Sequence, residues 1–188
     1  MALYYGPGPP YFMQKLSSSI FVNRAIHWSA NTPQRQCAFR NVIVSFNMKD
    51  EAFGEVAMPK SLQGLEDLDV TVALLDGLLA LVPSDGYGNK TSQGVWVMKE
   101  YGIAKSWSKL FDVGIGGFYN VIGFTKSGEV LVQKDGKLFS FEPSSQGYVD
   151  LPIRDPLDIY LDTYVESLVL LNVADRFPER QGSSSGRN

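Results

Sequence analysis

Three short stretches of this chain repeat one pattern at nearly equal spacing. Asn23-Arg24-Ala25-Ile26-His27-Trp28, Asp76-Gly77-Leu78-Leu79-Ala80-Leu81 and Ser127-Gly128-Glu129-Val130-Leu131-Val132 each set a turn pair ahead of a strand-like run. Arg24, Gly77 and Gly128 stand 53 and 51 residues apart. A period near fifty carried by strand signals means stacked β units.

The residues after each run repeat as well. Ile43-Val44-Ser45-Phe46 is followed by Phe53 and Val56, Val95-Trp96-Val97-Met98 by Trp107 and Leu110, and Leu138-Phe139-Ser140-Phe141 by Tyr148 and Leu151. The gap from apolar anchor to aromatic is 7, 9 and 7 residues, and from aromatic to aliphatic it is 3 every time. Each unit reads as strand, loop, strand, turn, strand. Suitable turn residues stand at Asn47-Met48-Lys49-Asp50, Tyr101-Gly102 and Pro143-Ser144-Ser145-Gln146-Gly147. The units cover about 22–59, 70–113 and 121–153, and a further strand is expected over Tyr164–Leu171. No long segment keeps a helical period. A sandwich has no reason to repeat near fifty, so the expected fold is all-β: a partial β-propeller of about three to four antiparallel blades. Trp28, Trp96, Trp107 and the blade aromatics are expected to supply much of the area packed between blades.

Composition narrows the function. The 188 residues are 44% hydrophobic and 12% aromatic, enough for a core, and 18 glycines and 10 prolines punctuate the chain as short strands require. A net charge of −3 without a basic run argues against nucleic acid as a partner. The apolar run Val70–Val82 is broken by Asp76-Gly77 and is too short to span a bilayer. The start shows no charged-then-apolar leader pattern, and a lone cysteine, Cys37, fits a reducing compartment, so the expected location is cytoplasmic or nuclear. Residues 1–19, with Gly6-Pro7-Gly8-Pro9-Pro10, read as a partly disordered lead-in, 20–172 as the propeller domain, and 173–188 as a disordered tail.

The same residues carry a family resemblance. Phe21-Val22-Asn23-Arg24-Ala25-Ile26-His27-Trp28 resembles the first element of plant F-box-associated domains, apart from Arg24 where a glycine is expected. Ile43–Phe46 through Phe53-Gly54-Glu55-Val56-Ala57-Met58-Pro59 is similar to the second. Leu75-Asp76-Gly77-Leu78-Leu79, Val95-Trp96-Val97-Met98-Lys99-Glu100-Tyr101-Gly102 and Ser106-Trp107-Ser108-Lys109-Leu110-Phe111 resemble the following ones, and Gly123-Phe124, Glu129-Val130-Leu131 and Tyr164–Val169 match too. The likeness covers roughly residues 20–172. It implies a kelch-like β-propeller that selects a substrate protein for an SCF-type ubiquitin ligase. Residues 1–22 hold no leucine-rich helical F-box pattern. A Skp-type adaptor and a cullin are therefore partners only of a longer form that carries one. Arg24 should strain the first turn if that turn needs a positive φ.

Chemistry-bearing residues are sparse. The single histidine, His27, lies beside Trp28 in a strand motif and reads as structural, and no Gly-x-Ser-x-Gly elbow exists. Cys37 lacks a partner cysteine for a zinc site. Gly114-Ile115-Gly116-Gly117 lacks the helix and lysine of a phosphate loop. Asp155, Asp158 and Asp162 do not match a calcium loop. The sequence therefore implies no enzyme activity, no cofactor and no metal. Two loops have partner-binding character: Ser84–Lys90, with Tyr87 and Asn89, and Gly116–Asn120, with Phe118 and Tyr119. A protein-recognition module is the first reading. The alternatives are a carbohydrate-binding propeller and a truncated, non-functional fragment of an F-box protein.

Overall fold

The computed structural model describes residues 3–4, 11–13, 19–33, 39–63, 68–85, 93–117 and 119–154. They form three antiparallel sheets. The first holds β1 (Leu3–Tyr4), β2 (Tyr11–Met13), β3 (Ile20–Val22), β4 (Ala25–Pro33), β5 (Phe39–Asn47) and β6 (Ala52–Val56), in the order β1-β2-β4-β5-β6, with β3 also on β4. The second is β7 (Leu68–Leu75), β8 (Leu78–Asp85), β9 (Gln93–Met98) and β10 (Trp107–Val113), and the third is β11 (Asn120–Phe124), β12 (Val130–Lys134), β13 (Lys137–Glu142) and β14 (Gly147–Arg154). Within the second and third sheets, sequence neighbours pair in order. The first strands lie side by side, with β7 against both β3 and β11, and the Thr71 hydroxyl donates to the Val121 carbonyl at 3.2 Å. This is a partial β-propeller whose blades are the three sequence units.

The turn that opens each repeat is the hairpin between the first and second strands of its blade. In the first two blades both turn residues have positive φ: Asn23 50° and Arg24 64°, Asp76 50° and Gly77 74°. Two-residue hairpins with this geometry match the twist of their strands, and they favour Asn-Gly or Asp-Gly. Arg24 therefore occupies a left-handed position where the second blade has glycine, and its carbonyl accepts the Met48 amide at 3.1 Å. In the third blade the turn is longer. Gly128, at φ 89°, donates its amide to the Thr125 carbonyl, while the Thr125 amide donates to Glu129.

The anchor-to-aromatic gap is hairpin register. Phe46 lies opposite Phe53, Met98 opposite Trp107, and Phe141 opposite Tyr148. The second strand extends the same row, with Ile26 opposite Phe46 and Val130 opposite Phe141. The step of three from aromatic to aliphatic has a different meaning. Side chains alternate faces along a strand, so residues three apart point to opposite sides. Phe53 lies on the face with Trp28 and Phe46, while Val56 is buried against the second blade. Leu110 sits at a bulge between Lys109 and Phe111 and is 48% exposed.

Burial follows this alternation. Leu79, Leu81, Met98 and Trp107 of the second blade pack on Ile43, Val56, Met58 and Leu62 of the first. The opposite face of the second blade (Ala73, Leu75, Ala80, Val82, Val95 and Val97) packs on Val121, Val130, Val132 and Phe141 of the third. Trp107 fulfils the expectation for the tryptophans, being buried with its indole N–H donating to the Ala57 carbonyl at 2.7 Å. Two other blade aromatics do not: Phe53 is 39% and Tyr148 57% exposed. Two short strands of the lead-in join the first sheet. Leu3 and Tyr4 pair with Phe12 and Tyr11, and buried Tyr11 donates its hydroxyl to Glu55 at 3.1 Å. The expected strand at Tyr164–Leu171 lies outside the described residues.

Candidate functional site

Antiparallel order sorts the connections to two ends. The hairpin turns after the first and third strands of a blade fall at one end. The links from second to third strand, and from one blade to the next, fall at the other. That second end collects the β4–β5 link from Pro33 to Phe39, the β8–β9 link from Asp85 to Gln93, and the β10–β11 link from Val113 to Asn120. The corresponding turn of the third blade is reduced to Asp135-Gly136, a tight pair with φ 49° and 69°. The third unit is thus the trimmed one. Longer links on the first two blades leave room for variable recognition surface, because such connections change without disturbing the strands.

Both loops with partner-binding character belong to this end. Tyr87 and Asn89 are in the β8–β9 link and Phe118 is in the β10–β11 link; all three lie outside the described residues. Tyr119 is described, and its placement corrects the expectation of an accessible anchor. It is 2% exposed. The Gln93 amide donates to its hydroxyl at 3.0 Å, the Gln93 side chain donates to its carbonyl at 3.0 Å, and the hydroxyl donates to the Val113 carbonyl. A buried tyrosine needs a partner for its hydroxyl, and here that requirement ties the second blade to the third. Tyr119 is an inter-blade plug and offers no side-chain surface to a partner.

The glycine stretch next to it is a braced connector. Gly116 and Gly117 have φ 69° and 72°, and Lys134 Nζ donates to the Gly116 carbonyl at 2.7 Å. The ammonium is taken up by backbone carbonyls, so the stretch holds no phosphate-loop geometry. Asp155, Asp158, Asp162 and Cys37 lie outside the described residues, and among the described residues no three His, Cys, Asp or Glu side chains gather as metal ligands. No helix among them is long and apolar enough to cross a membrane.

The opposite end holds a contact that no local motif signals. His27, fully buried on β4, places Nε2 2.7 Å from the Tyr101 hydroxyl in the β9–β10 turn, with the rings edge to face at 5.5 Å. Its Nδ1 is buried without a hydrogen-bond partner. Burial pulls the imidazole below its ordinary value of 6.5, and the nearby Ile20 and Ala25 backbone offsets this only in part. Burial likewise raises the Tyr101 hydroxyl above its ordinary value. His27 and Tyr101 are 74 residues apart, so only the packing of two blades brings them together.

With this geometry in hand, the relatives of the chain are informative. No protein-family model matches it. An Arabidopsis thaliana F-box protein is 36% identical over 105 residues, covering 56% of this chain and 24% of its own length. The Arabidopsis F-box protein CPR1 is 28% identical over 170 residues, covering 85% of this chain and 40% of its own. An Arabidopsis F-box/kelch-repeat protein is 27% identical over 158 residues, covering 80% and 41%. The chain is similar to these plant F-box proteins over part of their length, and its own fold is a partial β-propeller. It spans from 24% to 41% of the length of the curated relatives it matches.

Proposed function

We propose that this chain is a non-catalytic protein-recognition module, the substrate-holding part of an SCF-type ubiquitin ligase. The relationship to F-box and F-box/kelch-repeat proteins carries the reading. The gathering of the two long links at one end of the blades is compatible with it. In this reading the β4–β5 and β8–β9 links grip a substrate protein, and Tyr87 and Asn89 supply an aromatic anchor with a polar neighbour. The three packed sheets fix the strand ends from which the links leave. Engagement of a Skp-type adaptor and a cullin belongs to a longer form with an F-box, and the working location is cytoplasmic or nuclear. Neither bound cofactor nor catalytic group has a part in it.

The test fuses an F-box to the 188-residue chain and compares it with the Tyr87→Ala/Asn89→Ala double variant in plant extract. Proteins recovered with the parent should gain ubiquitin when the ligase components are supplied. The double variant should lose them while its unfolding midpoint stays unchanged. Undiminished recovery with the double variant refutes the site, and recovered proteins that never acquire ubiquitin refute the ligase role.

A further inference from the structure

The first two blades meet through an ionisable contact whose two halves differ in accessibility. His27 is fully buried, while Tyr101 is 38% exposed and sits at the tip of the β9–β10 turn. The turn is a rigid unit in its own right. Ser106 Oγ accepts the Glu100 amide at 3.0 Å and lies 2.9 Å from the Glu100 carbonyl and 2.7 Å from that of Ile103. The Ile103 amide donates to Glu100, the Gly102 amide points to Met98 Sδ at 3.1 Å, and Gly102 takes φ 79°. A turn built this way moves as one piece. Tyr101 is its side-chain hydrogen bond to the first blade.

We propose that His27 and Tyr101 form a pH-sensitive clasp between the first two blades, closed while the imidazole is neutral and released when it binds a proton. The neutral ring satisfies Nε2 with the Tyr101 hydroxyl. A second ring proton makes both ring nitrogens donors; Nε2–H can still meet the Tyr101 oxygen, but Nδ1–H makes no full hydrogen bond and has only the nearby Ile20 and Ala25 backbone to offset it. It would also put a charge in a buried site, where an uncompensated charge is costly. Among the described residues no carboxylate faces the ring. The residues of β3 and β5 facing the same side are Ile20, Val22, Ile43 and Ser45; those of β7 are Val70 and Val72, with exposed Asp69 at the strand's start. On β2, Tyr11 belongs to the opposite face, where it bonds Glu55. The turn brings Tyr101, and its Lys99, Glu100 and Lys105 are exposed. Hydration of the charged ring on its Nε2 side displaces Tyr101, and with it the 99–106 turn, from the first blade.

Because His27 is the single histidine, its ring proton resonance in the tag-free chain reports this titration directly. We expect a midpoint below 6.5, with the Tyr101 ring signals moving at the same midpoint. Amide exchange of Gly102, Ile103 and Ser106, corrected for intrinsic rates, should speed up by as much as tenfold per pH unit as pH falls between those of the open and closed states. Val132 and Phe139 in the third blade should keep their protection. In H27Q the pH dependence should vanish. In Y101F the turn should already be labile at neutral pH, which keeps the proposal testable if H27Q fails to fold. A midpoint at or above 6.5, or turn exchange that ignores pH, overturns the clasp. So does loss of protection in all three blades together.

Discussion

Arg24→Gly tests whether the repeat is a repeat of backbone conformation. Arg24 is exposed and holds φ 64° at the position where the second blade has Gly77 at φ 74°. A side-chain-bearing residue in the left-handed region costs roughly 1–2 kcal/mol. Glycine removes that cost but gives the unfolded chain more freedom, worth about 0.5–1 kcal/mol in the other direction. The balance is a stabilisation of about 0.5–1 kcal/mol, since the Arg24 backbone carbonyl that accepts Met48 is retained. Gly77→Ala is the mirror experiment. A Cβ at Gly77 would meet nothing within 4 Å, so no clash adds to the same two backbone terms. We expect a destabilisation of about 0.5–1 kcal/mol. Equilibrium urea unfolding measures both. With a denaturant slope of about 1–3 kcal/mol per M, 1 kcal/mol moves the midpoint by roughly 0.3–1 M. If Arg24→Gly lowers the midpoint while Gly77→Ala leaves it alone, the two turns do not share a conformation and the reasoning fails.

Trp107→Ala should cost about 3–5 kcal/mol in the same assay, because it empties the seam between the first two blades; an unchanged midpoint would show that Trp107 is not core. Tyr119→Phe should destabilise by about 1–3 kcal/mol, because it leaves the buried Gln93 amide and Val113 carbonyl without their shared partner; thermal unfolding that matches the parent would refute the plug. Stability should fall as pH drops below 6.5, because the unfolded chain then binds a proton that folded His27, with its lowered value, resists. That contribution is fully present above 6.5, and calorimetry of the parent against H27Q should show the two curves diverging only on the acid side.

Much of the scaffold was legible in the chain because it is written in local signals. Turn pairs at Asn23-Arg24 and Asp76-Gly77, and anchors facing aromatics across a hairpin, are set by neighbours in sequence. The period matches the three sheets among the described residues, whose strands lie within a few residues of the unit bounds. What stayed hidden depends on packing between sheets. The fixed step of three looked like paired burial, yet it crosses the sheet, so Val56 is covered while Phe53 is not. Tyr119 looked like a loop aromatic because glycines precede it. Its burial follows from where Gln93 and Val113 end up after the second blade has folded. Tyr11 lay in a stretch dominated by Pro and Gly, and only the partner strand β4 reveals it as core. For the two loops proposed to bind a partner, sequence supplies residue types and topology supplies the common end of their flanking strands.

The central structural claim is that the three sheets stack in chain order, each burying a defined face against the next. Methyl-to-methyl nuclear Overhauser contacts in the isotopically labelled chain read this directly. The account predicts contacts from Ile43 and Val56 to Leu79 and Leu81, and from Ala80 and Val82 to Val130 and Val132. It predicts none from Ile43 or Val56 to Val130 or Val132. Direct contacts between those first-blade and third-blade methyls would mean the sheets close as a sandwich, and the propeller account would be contradicted.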